Sequence, residues 1–152
     1  MKVSTIAPME YGRATEIWES SVRATHHFVS ENDIAAFRPM VRRAFDEMAQ
    51  VAGLRSDDGE LIGFIGVAEG KVEMLFIDPA CRSRGGGKML LDHARLAFGA
   101  TSVDVNEQNE QALGFYLHEG CEVVGRSELD STGRPYPILH LSMAASASNQ
   151  VS

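Results

Sequence analysis

The sequence predicts an α/β chain of the α+β kind, with a mixed, mostly antiparallel sheet of six to seven strands flanked by about four helices. Three observations carry this. Short apolar runs bounded by turn residues recur along the chain, and the three between Gln50 and Ile77 are joined by turns short enough to demand antiparallel neighbours. Four longer segments repeat their apolar residues at helical spacing. One strand is followed by a glycine-rich loop, a helix and another strand, the connectivity of a parallel pair joined by a right-handed crossover.

The elements follow in order. Lys2 to Ala7 reads as a first strand, with Val3 and Ile6 its bulky members and Pro8 its end. Tyr11 to Ala24 reads as a helix with Ala14, Ile17, Trp18, Ser21 and Val22 on one stripe. Ser30 or Asn32 caps a second helix from about Asp33 to Met48. Its apolar face is Ile34, Phe37, Val41, Ala44, Phe45 and Met48; Arg38, Arg42 and Arg43 are solvated. Gln50–Ser56, Leu61–Ala68 and Val72–Ile77 are strands, separated by Asp57-Asp58-Gly59-Glu60 and Glu69-Gly70-Lys71. Gly63 and Gly66 mark a close backbone approach or a bulge. The helix behind Gly87 carries Leu90, Ala94 and Ala97, with Leu91 and Phe98 widening the stripe and Gly99 stopping it. A strand at Thr101–Val105, a helix at Glu110–Glu119 and a hairpin of Cys121–Leu129 with Tyr136–Met143 complete the fold. Periodicity leaves the order of strands within the sheet open. The 152 residues make one domain, 1–144, with a small, polar, disordered tail at 145–152.

Composition excludes several classes. Fourteen basic against 21 acidic residues give a net charge of −7, which argues against a nucleic-acid partner. Two cysteines, Cys81 and Cys121, form no C-x-x-C pair and suit a reducing cytoplasm. No apolar run is long enough to span a membrane, and the N-terminus is too short in its apolar part for a signal peptide. A monomer or homodimer is expected.

The informative stretch is EMLFIDPACRSRGGGKMLL, Glu73 to Leu91. Gly85, Gly86 and Gly87 follow Arg82, Ser83 and Arg84 and precede a helix. The first amides of that helix have no partner within it, and the helix dipole adds partial positive charge. Arg82, Arg84 and Lys88 add full charges, so the loop reads as a pyrophosphate site. Met89 stands where a P-loop needs Ser or Thr, and the glycines lie too far along the chain for a dinucleotide fingerprint.

The arrangement is R-x-x-G-x-G, Arg82 to Gly87, which resembles the acetyl-CoA signature of the GNAT superfamily of acyl-CoA N-acyltransferases. NEQALGFYLHEGC, Asn109 to Cys121, resembles that family's N-x-x-A-x-x-(F/Y)-Y-x-x-x-G-(F/C) segment. The runs VRATHHFVS, MLFIDPACR, VNEQNEQALGFY and GRPYPILHL resemble the bacterial YjaB-type members, associated with acetylation of protein lysines. The resemblance implies the GNAT fold, with the strands before and after the glycine-loop helix splayed apart around the pantetheine arm. It also implies acetyl-CoA as cosubstrate, with no metal.

The resemblance further assigns roles. Tyr116 matches the motif tyrosine and is the candidate proton donor to the coenzyme sulfur, which the motif favours over the alternative of a core tyrosine packed with Phe115. Glu73, placed just before the coenzyme-facing strand, is the candidate base; an ordinary exposed strand residue is the alternative. Leu75, Phe76 and Ile77 would bond pantetheine and the acetyl carbonyl through their backbones. Asn109 would bond the pantetheine arm, cap the following helix, or both, and Asn106 is a weaker version of the same idea. His26 and His27 have no further ligand at metal spacing, so their loop is read as shaping an acceptor pocket over a buried Phe28, with Tyr136 lining it. Neither cysteine has a visible His/Asp set, so direct transfer in a ternary complex is expected over an acyl-enzyme. The expected activity is acetylation of a primary amine, a protein lysine or N-terminus. A non-catalytic acyl-CoA sensor and a small-molecule acetyltransferase are the alternatives.

Overall fold

A computed structural model describes residues 1–143; the tail expected at 145–152 lies outside the described residues. Seven strands form one sheet: β1 (Lys2–Ser4), β2 (Gln50–Arg55), β3 (Leu61–Ala68), β4 (Lys71–Ile77), β5 (Ser102–Asn106), β6 (Glu122–Ser127) and β7 (Ile138–Ser142). The helices are α1 (Tyr11–Thr25), α2 (Glu31–Glu47), α3 (Gly86–Ala97) and α4 (Glu110–His118). The strand order is β1-β2-β3-β4-β5-β7-β6, antiparallel throughout except for β4 and β5. This is the expected architecture, including the parallel pair.

The differences are local. β1 stops at Ser4, three residues early. α2 begins at Glu31, because Ser30 Oγ accepts the Asp33 amide proton at 3.1 Å and so caps the helix. Pro39 sits inside α2 without ending it. On α3 the buried residues are Gly86, Leu90, Leu91 and Ala94, whereas Ala97, expected on the same stripe, is exposed where the helix runs out.

Strand order follows from burial. Leu141 of β7 is fully buried opposite Val103 of β5, while β6 exposes Val123 and Val124. A strand with so little to bury belongs at an edge, so the final hairpin inserts β7 between β5 and β6. Helices cover both sheet faces. Leu90, Leu91 and Ala94 of α3 and Tyr116 of α4 pack with Leu54, Ile62, Val67 and Val103. Ile17, Trp18 and Val22 of α1 and Phe45 of α2 pack with Phe64 and Met74 on the other side. β3, between β2 and β4, is buried almost end to end between the two helix layers of this three-layer core.

Both glycine expectations in β3 hold. The β3–β4 register shifts between Gly66 and Val67. A Cβ on Gly63 would stand 3.0 Å from the Phe76 carbonyl oxygen and 2.9 Å from Ile77 Cδ1. Gly63→Ala is therefore expected to lower stability by about 1–2 kcal/mol, the overpacking exceeding the chain-entropy gain. Urea denaturation checks this as a lower midpoint at unchanged slope.

Candidate active site

β4 and β5 share only two register pairs, Lys71 with Ser102 and Val72 with Val103. Beyond them the strands part, and the edge of β4 from Glu73 onward has no ladder partner in β5. A cavity of about 450 Å³ opens along this edge. Leu75, Phe76 and Ile77 form one wall, Ala112, Phe115 and Tyr116 of α4 another, and Ser83 with Gly85 to Lys88 the mouth.

The mouth is built by local geometry. Asp78 accepts from the Ala80 amide at 3.0 Å and pairs with Arg13 at 2.9 Å, which turns the chain sharply at the end of β4. Ser83 (φ 66°) and Gly85 (φ 85°) then adopt left-handed backbone. Gly85, the residue before α3, has no side chain to cap it, and the first bond into the helix is Met89 N–H to Gly85 O at 3.2 Å. The amides of Gly86, Gly87 and Lys88 therefore have no side-chain cap, as an anion site requires. Glycine is required here for packing too: a Cβ on Gly86 would meet Leu54 at 2.4 Å, and one on Gly87 would meet the Phe115 ring at 3.3 Å.

The cations divide. Arg82 lines the cavity and donates to Gln111 Oε1 at 3.0 Å. Lys88 also lines it, held between Glu119 (3.2 Å) and Asp92 (3.3 Å), which raise its pKa. Arg84 is exposed and lines neither this cavity nor the second one, so its expected place on the anion is corrected: the left-handed turn at Ser83 and Gly85 carries it outward.

A second cavity of about 330 Å³ lies on the β5 side. Lys71, Glu73, Asp104, Asn106, Asp130 and Ser131 line it. His26, Leu75, Phe76, Asn109, Ala112 and Tyr116 line both cavities and form the wall they share. Glu73 is the third residue of β4, inside the strand, and its carboxylate is 3.4 Å from Lys71 Nζ. Tyr116 is 5% exposed, and no described residue hydrogen-bonds to its hydroxyl. Burial pushes the phenol pKa up, with a smaller contribution from Cys121, so it stays protonated at neutral pH.

A chain of hydrogen bonds crosses that wall. Ser21 Oγ donates to the Ile77 carbonyl at 2.9 Å, and Thr25 Oγ1 donates to the Ser21 carbonyl at 2.7 Å. Thr25 Oγ1 lies 2.8 Å from His26 Nδ1, and Asn109 Nδ2 lies 3.3 Å from His26 Nε2. One tautomer satisfies all of these: Nδ1–H donates to Thr25, and Nε2 accepts from Asn109. Asn109 Oδ1 accepts from the Ala112 amide at 3.2 Å, so Asn109 is the α4 cap and the link to α1 at once.

The other acceptor-side residues lie elsewhere. His27 is exposed and lines neither cavity; α1 ends with His26 turned inward, which points the next residue out. Phe28 is half-buried, not buried, between the rings of His26 (5.2 Å) and Tyr136 (5.9 Å). Tyr136 lines neither cavity: its hydroxyl donates to Asp33, which also holds Arg134 at 2.9 Å. Asn106 lines only the second cavity. Cys81 lines the first, Cys121 is buried, and both are free. Among the described residues no cluster could hold a metal ion.

Sequence reasoning missed Ser21, Thr25, Gln111, Glu119, Lys71 and Asp104. Ser21 had a signal, since a hydroxyl within an apolar helical stripe must find an acceptor when buried. Lys71 and Asp104, 3.0 Å apart and 33 residues apart in sequence, had none.

Burial, with His27 nearby, lowers the His26 pKa from 6.5 to about 4. The unfolded chain then takes up this proton at higher pH than the folded one, so stability is full above about 6.5 and falls as the pH drops toward 4. Urea denaturation should show a loss of about 2 kcal/mol between pH 7 and 5 from this group. In His26→Gln most of that pH-dependent part should vanish.

The comparisons agree with this geometry. Residues 50–122 match the GNAT acetyltransferase domain family. The chain is 42% identical over 125 residues to the peptidyl-lysine N-acetyltransferase YjaB of Salmonella typhimurium, covering 82% of this chain and 86% of that one. It is 40% identical over 125 residues to the Escherichia coli protein of the same name, covering 82% and 84%. The solution structure of apo-form YjaB from Escherichia coli superposes with a TM-score of 0.85 at 35% identity, covering 95% of this chain and 97% of that chain. The chain belongs to the GNAT acetyltransferase family.

Proposed function

We propose that the protein moves an acetyl group from acetyl-CoA to the ε-amine of a lysine in a polypeptide, by direct attack in a ternary complex in the cytoplasm. The observation that carries this is Tyr116, a largely buried side chain whose protonated hydroxyl is bonded by no described residue, in the wall between two cavities. Family membership supports acetyl transfer, and the name of the relatives, peptidyl-lysine N-acetyltransferase, supports the acceptor.

The first cavity suits the coenzyme. The uncapped amides of Gly86 to Lys88, with Arg82 and Lys88, would hold its diphosphate. The unpaired edge of β4 would bond the amides of its pantetheine arm and polarise the thioester carbonyl. The second cavity suits a cation, since Glu73, Asp104 and Asp130 outnumber Lys71 there.

A free lysine is neutral only about once in 2,500 molecules at pH 7. In this reading Glu73 takes the proton from the incoming ammonium, directly or through water. The amine forms its bond to the carbonyl carbon, the carbon–sulfur bond breaks, and Tyr116 protonates the departing thiolate. The second proton shed by the nitrogen as the amide forms restores the phenol, and Glu73 passes the first to water. The raised pKa of Tyr116 keeps that proton in place until a strong base develops beside it. His26, neutral at pH 7, adds no competing charge.

Thiol release on mixing the protein with acetyl-CoA and a lysine peptide tests the reading; coenzyme binding without thiol release would make the protein a sensor. Tyr116→Phe should lower kcat at least about tenfold while calorimetry gives unchanged coenzyme affinity, and unchanged turnover would remove the acid role. Glu73→Gln should abolish the acidic limb of the kcat/KM profile for the amine, and a profile equal to the parent's would remove Glu73 as base.

A further inference from the structure

The chain contains three lysines, Lys2, Lys71 and Lys88. Lys2 lies on β1 at the far edge of the sheet, and Lys88 stands exposed at the start of α3. Lys71 alone lines the second cavity. It sits two residues before Glu73 on β4, so both side chains project from the same face of the strand. Its Nζ is 3.4 Å from the Glu73 carboxylate and 3.0 Å from Asp104 Oδ2. Asp104 is itself fixed: its Oδ1 lies 2.7 Å from His140 Nδ1, and His140 Nε2 lies 2.7 Å from Ser127 Oγ.

Ser127, His140 and Asp104 have the bonding order of a hydrolytic triad. Neither of the two cavities is lined by Ser127, and Ser127 and His140 hold Asp104 toward Lys71.

We propose that Lys71 is an acetylation site of the protein itself, modified in cis at the same centre that acts on external lysines. The inference rests on the activity proposed above. Lys71 places a primary amine at hydrogen-bonding reach of the candidate base, in the cavity that shares Leu75, Phe76 and Tyr116 with the coenzyme side. Its side chain is 37% exposed on a flexible four-carbon stem. The atoms balance as in the intermolecular reaction. The Lys71 ammonium gives one proton to the Glu73 carboxylate, the neutral Nζ forms the amide bond as the thioester carbon–sulfur bond breaks, and the Tyr116 hydroxyl gives its proton to the thiolate. The second nitrogen proton, lost as the amide forms, returns to the Tyr116 phenolate. The products are N-acetyl-Lys71, free coenzyme thiol and the one proton that Glu73 passes to water.

Asp104, the largest contributor, and Glu73 raise the Lys71 pKa and favour the ammonium, so this transfer is slow and happens once per chain. Acetylation removes the one cation among Glu73, Asp104 and Asp130 in this cavity.

The test uses the whole protein, acetyl-CoA and a lysine peptide in one tube, read by intact mass and peptide mapping. The expected result is a single acetyl group on Lys71, added at least about tenfold faster than on Lys2 or Lys88, at a rate independent of protein concentration. Glu73→Gln should slow it about tenfold, and Lys71→Arg should leave no label at that position. Equal modification of the three lysines, or a rate proportional to protein concentration, overturns the proposal. Peptide acetylated with Lys71 untouched overturns it alone. Neither acetylated overturns the functional reading and this inference with it.

Discussion

The rest of the molecule depends on how little β4 and β5 hold each other. Each has one full partner: β4 runs along β3 through Gly63 to Ala68, and β5 along β7 from Ser102 to Asn106. Their shared ladder is two register pairs, Lys71 with Ser102 and Val72 with Val103. The sheet is therefore two halves joined at a narrow seam. A buried main-chain group left unpaired costs about 1–3 kcal/mol, so the open edge of β4 must face water or a ligand carrying amides of its own. The helix α4 and its Tyr116 lie across this opening, and one gap becomes two cavities with a common wall.

That wall is polar yet uncharged. His26 and Tyr116 are both buried, and desolvation drives each toward its neutral form, the imidazole by losing a proton and the phenol by keeping one. Charged residues stand on either side: Lys88, Arg82 and Glu119 toward the glycine loop, and Lys71, Glu73, Asp104 and Asp130 toward the β5 side. In the proposed function, a neutral partition would let an anionic carrier and a cationic acceptor approach from opposite sides. The Asn109 side chain bonds both His26 and the start of α4, so the partition is stitched to α1 and α4 together.

The glycine loop shows how packing and binding share residues. Gly86 and Gly87 let α3 seat against Leu54 and Phe115, and that seating turns the uncapped amides into the cavity mouth. The loop cations are less free than a list of charges suggests, because Glu119 and Asp92 hold Lys88 and Gln111 holds Arg82. An anion bound there would have to compete with these partners for the two cations.

Much of the fold was legible in the chain because its signals are local. Turn residues at Asp57-Asp58-Gly59-Glu60 and Glu69-Gly70 define the β2–β4 meander, helical spacing marks α1 to α4, and Ser30 and Asn109 announce the helices they cap. The place of the glycine loop ahead of α3 and of Tyr116 on α4 was legible for the same reason, since strand, glycines and motif tyrosine sit at fixed spacings. What only the folded chain decided depends on residues far apart in sequence. The insertion of β7 beside β5 follows from Leu141 burying against Val103, and the pairing of Lys71 with Asp104 follows from the seam between the half-sheets. His27, Arg84 and Tyr136 carried plausible roles by type and position, yet a helix end, a left-handed turn and the Asp33 carboxylate turn them away. Spacing along one element follows from the chain's own stereochemistry, whereas the direction of a side chain across two elements is settled only when their backbones pack.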